Sequence, residues 1–161
     1  MMIYNIVLFS PEIPPNTGNI GRLSLGTNSS LNIVGSPGFD LDEETAVKRA
    51  GLDYWDRVNV GSYTDWANYQ SSTSGSYYLV TKFAQKPYCN ASYEPGDHLM
   101  FGGENHGAPD AVHEDEDVTK VCIPMLDGIR AYNLANSTAI VLFEALRQQN
   151  PEWFNKTPHS V

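Results

Sequence analysis

Apolar positions along the chain fall into short continuous runs separated by polar, glycine-rich or proline-rich breaks. The runs cover residues 3–9, 31–34, 77–81, 98–101 and 118–123. Short runs rich in β-branched and aromatic residues, bounded by turn formers, predict strands buried on both faces. Helical signals alternate with them. Asn16 or Thr17 caps a predicted helix to about Thr27, with Ile20, Leu23 and Ser24 on one face. Residues 41–50 predict a short acidic helix whose Lys48-Arg49 end suits the helix dipole. Ser62-Tyr63-Thr64-Asp65 resembles a capping box for a helix to about Gln70, and a further short helix follows Pro109 to His113. Ser10-Pro11-Glu12-Ile13-Pro14-Pro15 predicts a rigid loop, and residues 71–76 a Ser/Thr/Gly loop. The alternation predicts an α/β fold: a mostly parallel sheet with helices on both faces.

The last helix starts at Asn133 or Asn136, runs to about Gln149 and is stopped by Pro151. Its middle, Ala139-Ile140-Val141-Leu142-Phe143, is apolar for more than one full turn. Such a helix must be covered on both sides. One side faces the sheet; the other is covered by a second copy of the chain, giving a homodimer, or by a neighbouring helix. At 161 residues the chain is one domain, with residues 150–161 expected to form a flexible tail.

Composition narrows the class. A 41% hydrophobic and 18% charged chain describes a globular protein, and no run of about 18 apolar residues is present to span a membrane. The N-terminus lacks the basic region of a signal peptide. Cys89 and Cys122, both in apolar surroundings, predict reduced core residues and a cytoplasmic protein. No metal is expected: Glu104, His106, His113 and Glu114 form the only loose cluster, and a solvated loop explains them better than a metal site. A net charge of −9 argues against nucleic acid, since phosphate contacts need clustered Lys and Arg. The acid is uneven, however, concentrated in residues 40–44 and 114–117. Lys48-Arg49, Lys82, Lys86 and Arg130 leave room for a local positive face.

Three turns carry the candidate chemistry. The first, Asn16-Thr17-Gly18-Asn19-Ile20-Gly21-Arg22, is a near miss for the dinucleotide fingerprint, with Asn16 in place of the first glycine. The acid expected after the second strand is replaced by Gly35, which argues against a nicotinamide site. Arg22 is then either an arginine able to grip a phosphate or carboxylate, or an ordinary surface residue. The second turn, Gly102-Gly103-Glu104-Asn105-His106-Gly107, follows a buried strand and precedes Pro109. A strand ending in glycines around one carboxylate reads as a ligand site or as a tight surface turn. The third, residues 123–136, is long for a strand-to-helix connection, which marks it as a binding loop.

Pro-Glu-Ile-Pro-Pro-Asn-Thr-Gly-Asn-Ile-Gly-Arg (11–22), Phe-Gly-Gly-Glu-Asn-His-Gly-Ala-Pro (101–109) and Ile-Pro-Met…Asn-Leu-Ala-Asn-Ser (123–137) together resemble the three motifs of the SpoU branch of the SPOUT methyltransferases. Within that branch the likeness is to the small single-domain enzymes that methylate the wobble ribose of tRNA. Arg49-Ala50-Gly51-Leu52-Asp53-Tyr54 and Glu144-Ala145-Leu146-Arg147-Gln148 strengthen it, so that it spans nearly the whole chain.

The resemblance implies a domain whose C-terminal part is threaded into a deep trefoil knot, a rare exception to ordinary chain topology. It implies a homodimer, S-adenosyl-L-methionine as cofactor and the anticodon stem-loop of tRNA as partner. The reaction would be 2′-O-methylation of nucleotide 34, cytidine or a modified uridine, in leucine isoacceptors. By position the cofactor would contact Val80 and Thr81; Gly102, Gly103, Glu104 and Gly107; and Ile123, Met125, Ala131, Leu134 and Asn136. The glycines would let adenosine lie against bare main chain. Arg22 is the residue tied to catalysis, here as a clamp on the phosphate beside the target ribose, because a guanidinium is very rarely deprotonated. Glu104 and Asn136 would order the loops, and Asn16 would orient the Arg22 turn; the general base is left open. Ala131 and Ala135 stand where relatives carry serines, and His106 where they often carry a basic residue. These departures keep two alternatives alive: a catalytically weak or inactive RNA-binding dimer, and ribose methylation at another RNA position.

Overall fold

The computed structural model describes residues 3–41 and 55–155. At its centre lies a six-stranded sheet of order β3-β2-β1-β5-β4-β6. The strands are β1 (Asn5–Phe9), β2 (Ser30–Val34), β3 (Val60–Tyr63), β4 (Tyr77–Val80), β5 (His98–Phe101) and β6 (Val118–Val121). Every pairing among them is parallel, so all six C-terminal ends reach one edge. The register keeps that edge level, with Leu8 opposite Phe101 and Val80 opposite both Phe101 and Val121.

Side chains alternate across the sheet with the two-residue period of a strand. Ile6, Leu8, Leu31, Ile33, Leu99 and Phe101 pack beneath helices α1 (Pro14–Gly26) and α4 (Leu134–Gln149). Val7, Phe9, Val34, Leu79 and Met100 face the other way, toward Trp66 and Tyr69 of α2 (Trp66–Ser72) and Val112 of α3 (Asp110–Glu114). Both faces are covered, which is why these strands read as continuous apolar runs.

Several elements differ from expectation for identifiable reasons. The proline loop ends earlier: Pro14 and Pro15 occupy the first two helical positions of α1, where a missing N–H costs nothing. The first motif is therefore helix, and Asn16 lies inside it rather than capping it. Residues 60–63, with no apolar run of their own, form the edge strand β3. Ser62 and Tyr63 consequently belong to a strand, and α2 is capped by Asp65, which accepts from the Asn68 N–H at 2.8 Å. Cys89 is exposed and Cys122 half-buried, so neither is a core residue. The predicted acidic helix lies outside the described residues except for Leu41. Of the expected tail, Pro151–Asn155 form a 3₁₀ turn beside α4, where Phe154 meets Phe143 edge to face. Among the described residues no helix is long and apolar enough to cross a membrane.

The connection between β4 and β5 and the segment after β6 lie on the same face of the sheet and touch twice. The Tyr88 N–H donates to the Cys122 carbonyl, and the Cys122 N–H to that of Lys86, both at 2.8 Å. Farther on, Gln148 Nε2 donates to the Ala91 carbonyl at 3.0 Å and Gln149 Nε2 to that of Tyr93 at 2.6 Å. α4 thus runs back over the middle of the sheet, between α1 and the turn Tyr88–Asn90, instead of continuing beyond the edge strand β6. This is the crossing that the expected knot requires.

Candidate active site

The level C-terminal edge of β4, β5 and β6 places three loops side by side, the usual location of ligand sites in parallel sheets. They surround a cavity of about 660 Å³. Val80, Phe101, Ile123 and Leu134 give it an apolar lining; the glycine turn after β5 and the loop before α4 supply polar walls.

The glycine turn closes on itself. Gly103 and Gly107 exchange main-chain hydrogen bonds at 3.1 and 2.9 Å, and Gly107 makes the reversal with φ +73°. A side chain at Gly102 would fall onto the Gly107–Ala108 peptide, and one at Gly103 would meet the Phe9 and Ser10 carbonyls. Packing of the turn on itself at Gly102 and against the end of β1 at Gly103 thus excludes side chains at two positions that also line the cavity.

Glu104 stands at the centre of the turn and binds the start of α1. One carboxylate oxygen accepts from the Glu12 N–H at 2.7 Å; the other accepts from the Ile13 N–H at 3.2 Å and Asn16 Nδ2 at 3.0 Å. Both N–H groups precede α1, whose first turn carries no acid and whose first two residues are prolines without an N–H. A carboxylate from a distant loop thus fixes the chain leading into α1 and sets a negative charge at the helix N-terminus.

Asn16 passes the link onward. With Nδ2 committed to Glu104, its Oδ1 accepts from Asn133 Nδ2 at 2.9 Å. Asn133 Oδ1 then caps α4, accepting from the Ala135 and Asn136 N–H groups at 2.9 and 3.2 Å. Each amide can satisfy both neighbours in only one orientation. Glu104, Asn16 and Asn133 thereby tie together three motifs that are far apart in sequence.

Glu12 returns the contact. Its carboxylate accepts from Asn105 Nδ2 at 2.7 Å and the Asn105 N–H at 3.0 Å, and lies 3.1 Å from His106 Nδ1. The Asn105 side chain and main chain, with a smaller contribution from His106, lower its pKa to about 2.

Of the residues expected at the cofactor, Val80, Thr81, Gly102, Gly103, Glu104 and Gly107 line the cavity, as do Ile123, Met125, Ala131 and Leu134. Asn16 lines it too. Asn136 does not: its side chain is exposed on α4, and Asn133 one turn earlier holds the loop. Arg22 is exposed on α1 and is not among the lining residues. Gly21 beside it allows the Trp55 ring to approach, since a side chain there would meet that ring at 2.5 Å. Lys82, Phe83, His106 and Ser137 also line the cavity and were not anticipated as site residues, whereas Arg130, Tyr132 and Asn133 line it from within the segment read as a binding loop. For Asn133 a signal was available, since it was one of two proposed caps in a motif loop.

The family model described as the SpoU rRNA Methylase family matches residues 4–143. The chain belongs to this family. A tRNA (cytidine(34)-2′-O)-methyltransferase from Photorhabdus asymbiotica is 41% identical to this SpoU-family chain over 151 residues, covering 89% of it and 93% of the relative. Another bearing that name, from Methylovorus glucosotrophus, is 37% identical, with 92% of this chain and 97% of the relative covered. A solved structure concerned with the 2-OH methylation of C/U34 on tRNA superposes with a TM-score of 0.85 at 30% identity, covering 93% of this chain and 98% of its own. The parallel sheet, the crossing of its C-terminal segments and the three-loop cavity are thus the SPOUT architecture, carried along nearly the full SpoU-family chain.

Proposed function

We propose that this chain transfers a methyl group from S-adenosylmethionine to the 2′-oxygen of nucleotide 34, the wobble position, of tRNA. One observation carries the reading: three family motifs are wired through Glu104, Asn16 and Asn133 around a single cavity, in a chain about 40% identical to a named wobble methyltransferase. The cavity suits a nucleoside with a polar tail. Its volume falls in the range of small-molecule sites, its deep lining is apolar, and polar groups converge at the mouth.

S-adenosylmethionine, when bound, supplies an electrophilic methyl group on a sulfonium centre; the chain supplies position and shelter from water. Val80, Phe101, Ile123 and Leu134 exclude water from the deep part of the cavity. Glu104 holds the walls together, its two oxygens accepting from three N–H donors. Arg22, on the exposed side of α1, clamps a phosphate of the RNA beside the target ribose. A second copy covers the outer side of α4, where Ile140 is 36% and Phe143 39% exposed. The choice of leucine isoacceptors, and of cytidine or a modified uridine as base, rests on the resemblance to the small wobble enzymes.

Incubation of the full chain with S-adenosylmethionine and unfractionated tRNA, followed by nucleoside mass spectrometry, tests the reading. A 2′-O-methyl at nucleotide 34 is expected, and a methyl at any other position would reassign the target. Binding of S-adenosylhomocysteine and tRNA without any transfer would favour the inactive reading, which the absent hydroxyls at Ala131 and Ala135 support.

A further inference from the structure

Singly exposed apolar side chains are ordinary on protein surfaces, but Phe83 has a setting that is not. It is 76% exposed and lies at the mouth of the cavity, three residues beyond the end of β4. Its turn is anchored: the Thr81 N–H donates to the Val121 carbonyl at 2.9 Å, the Ala84 N–H to that of Thr81 at 3.3 Å, and the Phe83 N–H to Thr81 Oγ1 at 3.4 Å. The ring has a cation beside it, with Lys82 Nζ 5.3 Å from its centroid. On α3, His113 meets the ring edge to face, with centroids 6.2 Å apart.

Charge says which partner such a ring suits. The chain carries a net −9, yet Lys82 and Arg130 line the cavity, against the carboxylates of Asp110 and Glu104 and with Glu12 beside His106. Both oxygens of Glu104 are engaged by N–H donors of the α1 segment. An aromatic face with a lysine beside it, at the mouth of a site that takes a ribose, matches single-stranded RNA, whose unstacked bases lie on aromatic rings while cations hold the backbone.

We infer that Phe83 is the platform on which a base of the tRNA loop stacks while its ribose enters the cavity, with Lys82 holding the adjoining phosphate. This rests on the RNA-methylating reading above and adds a positioning residue to it. Stacking of this kind is sequence-tolerant, because every base has a π-face. It would hold the loop in place without choosing the base.

The test compares the full chain with Phe83→Ala and Phe83→Trp in three measurements. In methyl transfer to unfractionated tRNA, Phe83→Ala is expected to lose about 10- to 100-fold in kcat/KM, mostly through KM, and Phe83→Trp to retain activity. An RNA hairpin carrying 2-aminopurine in its loop should be quenched by the unaltered chain and by Phe83→Trp, but not by Phe83→Ala. S-adenosylhomocysteine affinity and oligomeric state should be the same in all three. Unchanged transfer and quenching in Phe83→Ala would overturn the platform. So would a matching loss of cofactor affinity, or a change of oligomeric state, because the ring would then serve the cofactor or a subunit contact. If the unaltered chain methylates no RNA, the activity reading fails by itself, and the quenching measurement still decides the role of Phe83.

Discussion

Glu12 and Glu104 hold each other's loops without touching carboxylate to carboxylate. The main-chain N–H of Glu12 donates to Glu104 at 2.7 Å, while the main-chain N–H of Asn105, next to Glu104, donates to Glu12 at 3.0 Å. The exchange fastens the entry of α1 to the glycine turn after β5 and uses both acids as acceptors. Because Glu104 serves three donors, its substitution should act on architecture before chemistry. Glu104→Ala leaves the Glu12 and Ile13 N–H groups and Asn16 Nδ2 without this partner, at a cost of about 1–3 kcal/mol. The expected result is a lower urea midpoint together with weakened S-adenosylhomocysteine binding by calorimetry. An unchanged midpoint would contradict this anchoring role.

Asn133 separates capping from linkage. Asn133→Ala removes both the α4 cap and the bond to Asn16, and should cost about 1–2 kcal/mol in denaturation. Asn133→Asp keeps an oxygen for the Ala135 and Asn136 N–H groups but replaces the donor that faces Asn16 Oδ1. Most helix stability should return in the aspartate variant, while cofactor affinity stays low. Equal affinity in Asn133→Asp and the unaltered chain would show that the Asn16 link is dispensable.

Legibility from sequence followed burial. Strands β1, β2, β4 and β5 were readable because both their faces are covered, making apolar runs that polar loops interrupt, and the edge strand β6 through Val118, Val121 and the apolar residues that follow it. β3 was not: Val-Gly-Ser-Tyr sits at the sheet edge, half-exposed, and pairs through backbone that carries no side-chain signature. The start of α1 was hidden for a related reason. Proline pairs read as breakers, and only the register of the helix shows that they fill its first turn. The glycines of the second motif marked close approaches: the turn's own peptide at Gly102, and the Phe9 and Ser10 carbonyls at Gly103. The resemblance brought the loops together on paper; the side-chain wiring that joins them depends on contacts 88 to 117 residues apart, which no local pattern encodes.

Arg22 offers a separation of a different kind. Exposed on α1 and absent from the cavity lining, it should be silent in cofactor binding. Arg22→Ala is expected to abolish methyl transfer to tRNA while S-adenosylhomocysteine affinity stays within about twofold, a difference below roughly 0.5 kcal/mol. Lysine keeps the charge but loses the bidentate grip, so Arg22→Lys should recover only part of the rate. A fully active alanine variant would remove the clamp.

Acid should release the loop clasp. The pKa of Glu12 is lowered to about 2 by Asn105 and His106, against an ordinary carboxylate near 4.5. A depressed carboxylate favours the folded clasp above its unfolded value, and that contribution disappears as pH falls from about 4.5 through 2. Cofactor affinity should therefore fall across this window in the unaltered chain, beyond any effect of protonating the ligand itself. Glu12→Gln, which has no such titration, should show a flatter profile from a weaker starting point. Superimposable profiles for the two proteins would rule out the clasp as the acid-sensitive element.

On the opposite side of the sheet, Tyr69 and His98 make a buried pair whose pH dependence has its own sign. Tyr69 Oη lies 2.6 Å from His98 Nδ1, and His98 Nε2 lies 3.2 Å from the Ser74 carbonyl. A carbonyl only accepts, so the ring proton sits on Nε2 and Nδ1 accepts from the tyrosine hydroxyl. Burial pushes the imidazole pKa down, outweighing the Ser74 carbonyl and Asp97, and pushes the tyrosine pKa up. The neutral ring is the form that fits. Because the unfolded chain binds a proton more readily, stability should rise with pH until the unfolded imidazole has titrated, near 6.5, and fall as the solution is acidified below that. Tyr69→Phe strands Nδ1 in an aromatic cluster with no donor, at a cost of about 1–3 kcal/mol, and leaves methyl transfer intact because the pair is remote from the cavity. Chemical denaturation between pH 5 and 8 checks both statements. A stability profile for the unaltered chain that is flat across that range would show that His98 is protonated as readily in the folded chain as in the unfolded one.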